Sequence, residues 1–336
     1  MKKELKETKP KCDIRLSYSR VSKFASLGAK ELNDETRTII INDGISFGKL
    51  VDLLEQNIDI KDEYYIYDGL KPTAMLGQLC EAVVDTYEVV PSKDQVLDLV
   101  KTIGLWSSIK VEETLIKKFD KDGFWDYIKA QLESGNKTII TTSELIKAKE
   151  KVGILRTHEF TKHIFDNQDV NIEIIDQKEL LFSYRGFDFK SFLDKVIIDH
   201  KNKTIRIIDL KTGIDSPYNF SFTFKKWKYY LQEALYNQGI KESYKEYIDK
   251  GYTLLPFQFV YISKTNDLPI IYEVTKEWSK AALKGFGTNG YTYKGLDELL
   301  DDIYWHWFNN SYTLPRYLIE QNGIVEIENN INTNDE

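Results

Sequence analysis

The chain has 336 residues, 42% hydrophobic and 29% charged, which allows one large core or two modest ones and is ordinary for a globular protein. No run approaches the roughly 20 apolar residues needed to span a bilayer, and the charged start Met1-Lys-Lys-Glu has no apolar stretch behind it, so neither a membrane helix nor a signal peptide is expected. Cys12 and Cys80 are too few for a disulfide framework or an iron–sulfur cluster and suit a reducing cytoplasm.

Residues 1–12 read as a loose charged leader and 323–336 as a flexible tail. Between them, 13–322 read as one domain: a mostly helical front half (13–168), a core over 169–275, and C-terminal helices over 276–322. Ser17 and Ser19 are N-cap candidates for a helix through Val21 and Phe24. Residues 47–54 form a short amphipathic helix, and helical spacing recurs over 92–165, as in Val96, Leu99, Val100 and Ile103. The character changes at Val170. Runs at 172–175, 180–184, 192–198 and 204–209 are β-branched and aromatic, with Asp199-His200-Lys201-Asn202-Lys203 as the clearest turn, and predict an antiparallel meander. A helix is expected from about 224 to 237, then strands at 257–263 and 270–274. The fold class is therefore α/β, a mixed central sheet flanked by helices.

Net charge is −7, which at first argues against a polyanionic partner. Its distribution says otherwise, because Lys190 to Lys228 carries nine Lys/Arg against four Asp. A basic stretch in an acidic chain is either a phosphate-binding surface or a set of solvated lysines.

The same stretch holds the residues with chemistry. Asp194 lies in one predicted strand, and Asp209-Leu210-Lys211 ends the next, across the turn. Side chains alternate along a strand, so Asp209 and Lys211 share a face about 7 Å apart while Leu210 points into the core. Two carboxylates converging on one point repel unless a hard cation such as Mg²⁺ lies between them. A neighbouring ammonium can orient an attacking water and offset developing charge. Gln232 and Tyr236, four apart on the following helix, share a face and could hydrogen-bond a phosphate or hold the lysine.

In order, Lys190-Ser-Phe-Leu-Asp194, Ile207-Ile-Asp209-Leu-Lys211-Thr-Gly213 and Gln232-Glu-Ala-Leu-Tyr236 resemble the RecB-like branch of the PD-(D/E)XK nucleases, and within it the phage and bacterial RecE-type (exodeoxyribonuclease VIII-like) exonucleases. Leu16-Ser-Tyr-Ser19 resembles that family's opening helix, and Phe47-Gly48-Lys-Leu-Val-Asp52 its G-x-x-x-H motif, so the likeness runs from Leu16 to Val274. Asp52 stands in place of the motif's histidine; Gly77-Gln-Leu-Cys-Glu81 is a competing match. The proline of the namesake pair and the four cluster-binding cysteines of some relatives are absent.

The resemblance implies a restriction-endonuclease-like fold and digestion of linear DNA, duplex or single-stranded, from an end, in recombination or repair. It implies Mg²⁺ or Mn²⁺ on Asp194, Asp209, the Leu210 carbonyl and Asp52, with Lys211 positioning the water. Gln232, Tyr236, Lys225 and Lys228 would contact substrate. No iron–sulfur cluster, nucleotide or membrane is implied. A recombinase or single-strand annealing protein is the expected partner class, an oligomer is compatible, and the cytoplasm (of the host, if phage-encoded) is the expected compartment. The alternatives are an endonuclease of the same fold and a catalytically silent DNA- or partner-binding module.

Two other patterns are discarded. Gly44-Ile-Ser-Phe-Gly48-Lys49-Leu50 is one residue short of a P-loop and lacks its Ser/Thr. His158-Glu-Phe-Thr-Lys-His163 is one residue too long for the zinc-protease motif, so its histidines share no helix face.

Overall fold

The computed structural model describes residues 14–33, 43–288 and 291–324, so the 1–12 leader and most of the 323–336 tail lie outside it. The chain divides into two compact units, one of 1–40 with 159–336 and one of 41–158. The sequence pattern carries no boundary signal at either junction. No helix among the described residues is long and apolar enough to cross a membrane.

The first unit opens with β1 (Arg15–Leu16) and α1 (Tyr18–Leu27). Ser17 caps α1 as expected, its Oγ accepting from the Arg20 N–H at 3.3 Å.

The second unit contains α2 (Asp43–Glu55), β2 (Tyr64–Tyr67), α3 (Ala74–Thr86), α4 (Lys93–Thr102), α5 (Glu112–Phe119), α6 (Asp122–Ser134), β3 (Thr138–Thr141) and α7 (Thr142–Thr157). Capping boxes start two of its helices, Ser92 with Gln95 and Thr141 with Glu144. Leu79, Val83, Val96, Val100, Phe119 and Phe124 form a core of their own. The predicted helix at 47–54 lies inside α2.

The first unit resumes with α8 (Lys162–Phe165), β4 (Ile172–Tyr184), β5 (Phe187–Asp199), β6 (Thr204–Gly213), α9 (Phe220–Lys226), α10 (Tyr229–Ser243) and α11 (Lys245–Asp249). It ends with β7 (Thr253–Leu254), β8 (Gln258–Ser263), β9 (Ile270–Glu273), α12 (Lys276–Lys284), the hairpin β10 (Phe286–Thr288) and β11 (Tyr291–Tyr293), α13 (Leu296–Phe308) and α14 (Arg316–Glu320). The predicted meander is present: β4, β5 and β6 pair antiparallel in sequence order. At the 199–203 turn, Asp199 accepts from the Asn202 N–H at 2.8 Å and Lys203 is left-handed. β6 then pairs parallel with β8, with α9, α10 and α11 in the crossover, so the sheet is mixed in the order β1-β5-β6-β8-β9. Its core joins Val196, Ile198, Ile205 and Ile207 to Phe24 of α1, Leu235 of α10 and Ile303 of α13.

Two predicted elements differ. The runs 172–175 and 180–184 are one strand, β4, passing through a left-handed Gln177. The predicted helix 224–237 is two helices, because Lys228 is left-handed (φ 57°) and breaks the turn. Its Nζ donates to Ser26 Oγ of α1 at 2.7 Å, and the Tyr18 hydroxyl donates to the Trp227 carbonyl at 2.9 Å. The two bonds tie the break to α1.

α10 is buried nearly all round, so it behaves as a core helix that also carries polar groups. Gly239 is the close approach. A Cβ there would lie 2.7 Å from Phe182 Cε1 and 3.1 Å from Leu180 Cδ1 of β4. Gly239→Val should therefore cost about 1–3 kcal/mol by overpacking, read from urea unfolding. An unchanged midpoint would show that the α10–β4 contact is slack.

Candidate active site

The site forms where the β5–β6 ladder stops. The last paired residues are Lys195 and Ile208, and the next step of the register sets Asp194 opposite Asp209. There the Asp194 carboxylate replaces the ladder bond, Oδ2 accepting from the Leu210 N–H at 2.9 Å. On the other side of β5 the pairing with β4 skips the Gln177–Asp194 step. Gln177 is held at φ 45°, and its Nε2 lies 3.5 Å from Asp194 Oδ1. The inward alternation of β5 changes phase here, from Phe187, Phe189 and Leu193 to Val196 and Ile198. A left-handed residue inside a strand is costly unless its surroundings fix it, and this one flanks a carboxylate.

Asp209 is buried. Lys211 Nζ lies 2.5 Å from its Oδ2, and Gln232 Nε2 donates to its Oδ1 at 2.5 Å. The Lys211 ammonium stands 4.6 Å above the Tyr229 ring and 5.9 Å from that of Phe259, so its apolar walls are aromatic faces. Burial pushes the Asp209 carboxyl up, opposed by Lys211 and Gln232. Burial pulls Lys211 down, but Asp209, Tyr229, Asp194 and Tyr18 outweigh it, and the ammonium stays charged well above its ordinary range. Tyr236 is buried in the same field: burial raises its hydroxyl, with Asp209 adding and Lys211 opposing.

The structure thus brings Asp194, Asp209, Leu210, Lys211, Gln232 and Tyr236 together. Lys228 is engaged with Ser26, and Lys225 lines an aromatic cleft of about 140 Å³ with Phe220, Phe224 and Trp278. Asp52 on α2 and Glu81 on α3 belong to the other unit, Asp52 half-buried and Glu81 exposed. Among the described residues, no three His, Cys, Asp or Glu side chains gather as a metal site.

Four residues at or beside the site carry no role in the sequence reading. Tyr18, within Leu16-Ser-Tyr-Ser19, and Tyr229 flank the ammonium, and Gln177 flanks Asp194; only the fold brings them there. The fourth is Glu233, beside Gln232 on α10 and fully buried. Its Oε1 accepts from Asn237 Nδ2 at 2.5 Å and from Ser279 Oγ of α12 at 2.6 Å. Its Oε2 has no partner among the described residues.

No family model matches this chain, and no curated protein matches it. Among solved structures, it is similar to a crystal structure from Eubacterium rectale of a protein provisionally named an exonuclease. The two share 14% identity at a TM-score of 0.47, over 94% of this chain and 90% of the other.

Burial raises the Glu233 carboxyl from 4.5 to about 7. The folded chain therefore keeps this proton up to about pH 7, whereas the unfolded chain releases it near pH 4.5. The fold binds the extra proton in that window, so stability falls as pH rises through it, by roughly 3 kcal/mol in all. Glu233→Gln should lack this loss and gain on the wild type between pH 4.5 and pH 8 in urea unfolding. Parallel profiles for the two proteins would sink this assignment.

Proposed function

We propose that the chain is a metal-dependent nuclease that hydrolyses DNA phosphodiester bonds, working from the ends of linear DNA. The observation that carries the reading is the convergence of Asp194, Asp209, Lys211 and Gln232 where two strands part. The order of these residues in motifs that resemble the RecE-type PD-(D/E)XK exonucleases supports it as well.

The donor set fits a hard divalent cation. Two carboxylates and one ammonium leave a net charge of −1, and Mg²⁺ or Mn²⁺ would turn that to +1, matched to one phosphodiester. Asp194, Asp209 and the Leu210 carbonyl would hold the ion. Few protein ligands, with water and phosphate in the other positions, is the usual habit of Mg²⁺. When bound, the ion would polarise the phosphate and make its water more acidic.

The protein's own groups have separate tasks. Lys211, held on the Tyr229 face, places a positive charge beside the attacked phosphorus and orients the water. Gln232 fixes the Asp209 carboxylate, and Tyr236 closes the buried side against bulk solvent. Lys225 and Lys228 supply positive charge along the approach. Recombination or repair in a cytoplasm is the setting this reading implies, with a recombinase or single-strand annealing protein as partner.

The test is digestion of end-labelled linear duplex, single-stranded and circular DNA with Mg²⁺ or Mn²⁺, and with EDTA. Lys211→Ala should lower the rate about 10²–10³-fold, and EDTA should abolish it. EDTA-resistant cleavage unchanged in Lys211→Ala would remove the mechanism. Cutting of circular DNA would make the protein an endonuclease. Absence of both cleavage and Mn²⁺ binding would leave a silent module.

A further inference from the structure

The segment between Lys211 and Gln232 leaves a row of large side chains in solvent. Tyr218 is 70% exposed, Phe222 67% and Trp227 54%. α9 is too short to hide them. It buries Phe220, Thr223 and Phe224 on its inner face and places Phe222 on its outer face, where a soluble helix would carry a polar residue. Tyr218 sits in the single 3₁₀ turn that runs straight into α9, so Tyr218, Phe222 and Lys226 fall four apart along one side. Lys226 Nζ stands 5.1 Å over the Trp227 ring.

We infer that the outer face of α9, with Tyr218, Phe222 and Trp227, is a stacking platform for the unpaired bases of single-stranded DNA. The inference rests on the nuclease reading for its purpose, which is to hold a strand at the site. Three features choose this occupant. Lys226 stands against the exposed Trp227 ring and α9 itself has no carboxylate, so the surface complements a polyanion that carries π faces. Bases inside a duplex are already stacked, so only unpaired bases can use such a surface. The helix that carries the platform also packs against a wall of the site: its buried Phe220 stacks on Tyr229 at 5.9 Å, and the Lys211 ammonium lies 4.6 Å from the same Tyr229 ring.

The experiment compares wild type with Tyr218→Ala/Phe222→Ala, two exposed positions whose loss leaves the core intact. Binding is read by fluorescence anisotropy in EDTA, where no metal-dependent hydrolysis proceeds. The probes are a labelled oligothymidylate and an abasic oligomer of equal length. Loss of the stacks should weaken oligothymidylate binding by at least about tenfold and leave the abasic oligomer unchanged. An equal fall on both probes, or none on either, overturns the platform. So does a wild-type dimer that the variant converts to monomer, which would make this face a contact between copies of the chain. Base-dependent binding without any hydrolysis would remove the nuclease reading and keep the platform; hydrolysis without base-dependent binding would do the reverse.

Discussion

The constraint on which the site depends is the burial of the Asp209 carboxylate. A buried charge is tolerated only when paired and hydrogen-bonded, and removing one partner of such a pair costs several kcal/mol. Asp209 has both partners, and they arrive from different elements. Lys211 comes from the same strand, two residues on, and Gln232 from α10. The ammonium must itself be walled, and Tyr229 and Phe259 do this. Phe259 is the register partner of Asp209 on β8, so the parallel β6–β8 pairing fixes that wall. Tyr229 stands at the first position of α10, directly after the break at Lys228. A straight helix through 224–237 would swing that ring elsewhere, so the break belongs to the same arrangement.

This explains what could be read from residues alone and what could not. The β5 and β6 strands, their turn and the shared face of Asp209 and Lys211 follow from alternation, a property of neighbours in sequence. The shared face of Gln232 and Tyr236 follows from helical spacing in the same way. Gln177, by contrast, reads as one polar residue between two apolar runs, and nothing local says that it is left-handed inside a continuous strand. Its conformation answers to Asp194 across the ladder. Tyr18 is more than two hundred positions from Trp227, to which it donates, and Lys228 is equally far from Ser26. Long-range contacts of that kind set the helix break. The division of the chain at 40–41 and 158–159 likewise has no Pro/Gly-rich linker to announce it.

α10 carries a second consequence of burial. Adjacent residues on a helix point about 100° apart, so Gln232 and Glu233 serve different neighbours. Gln232 reaches the sheet at Asp209, and Glu233 reaches α12 at Ser279. The helix that orders the Asp209 carboxylate is thus tied to the layer behind it by a titratable group. The two anchors differ in kind. Asp209 is in contact with a full positive charge, whereas the groups that donate to Glu233 are a hydroxyl and an amide, with Lys241 acting from farther off.

Net charge is a poor guide to partner for a chain built this way. The field that a phosphate meets is set within about a Debye length, roughly 10 Å at moderate salt, and charges farther away are largely screened. The excess of Lys/Arg from Lys190 to Lys228 lies on the segments that form and flank the site. Much of it is already committed: Lys195 pairs with Asp176, Lys190 with Glu179 and Arg206 with Glu273. α9 and its C-terminal neighbour differ, carrying three lysines in four residues with no acid among them. Lys228 is turned to α1, which leaves Lys226 against the exposed Trp227 ring. Positive charge and exposed aromatic rings therefore coincide on one short segment between Lys211 and Gln232. On the nuclease reading, affinity would draw more on base stacking than in a purely cationic groove, and less of it would be lost to added salt.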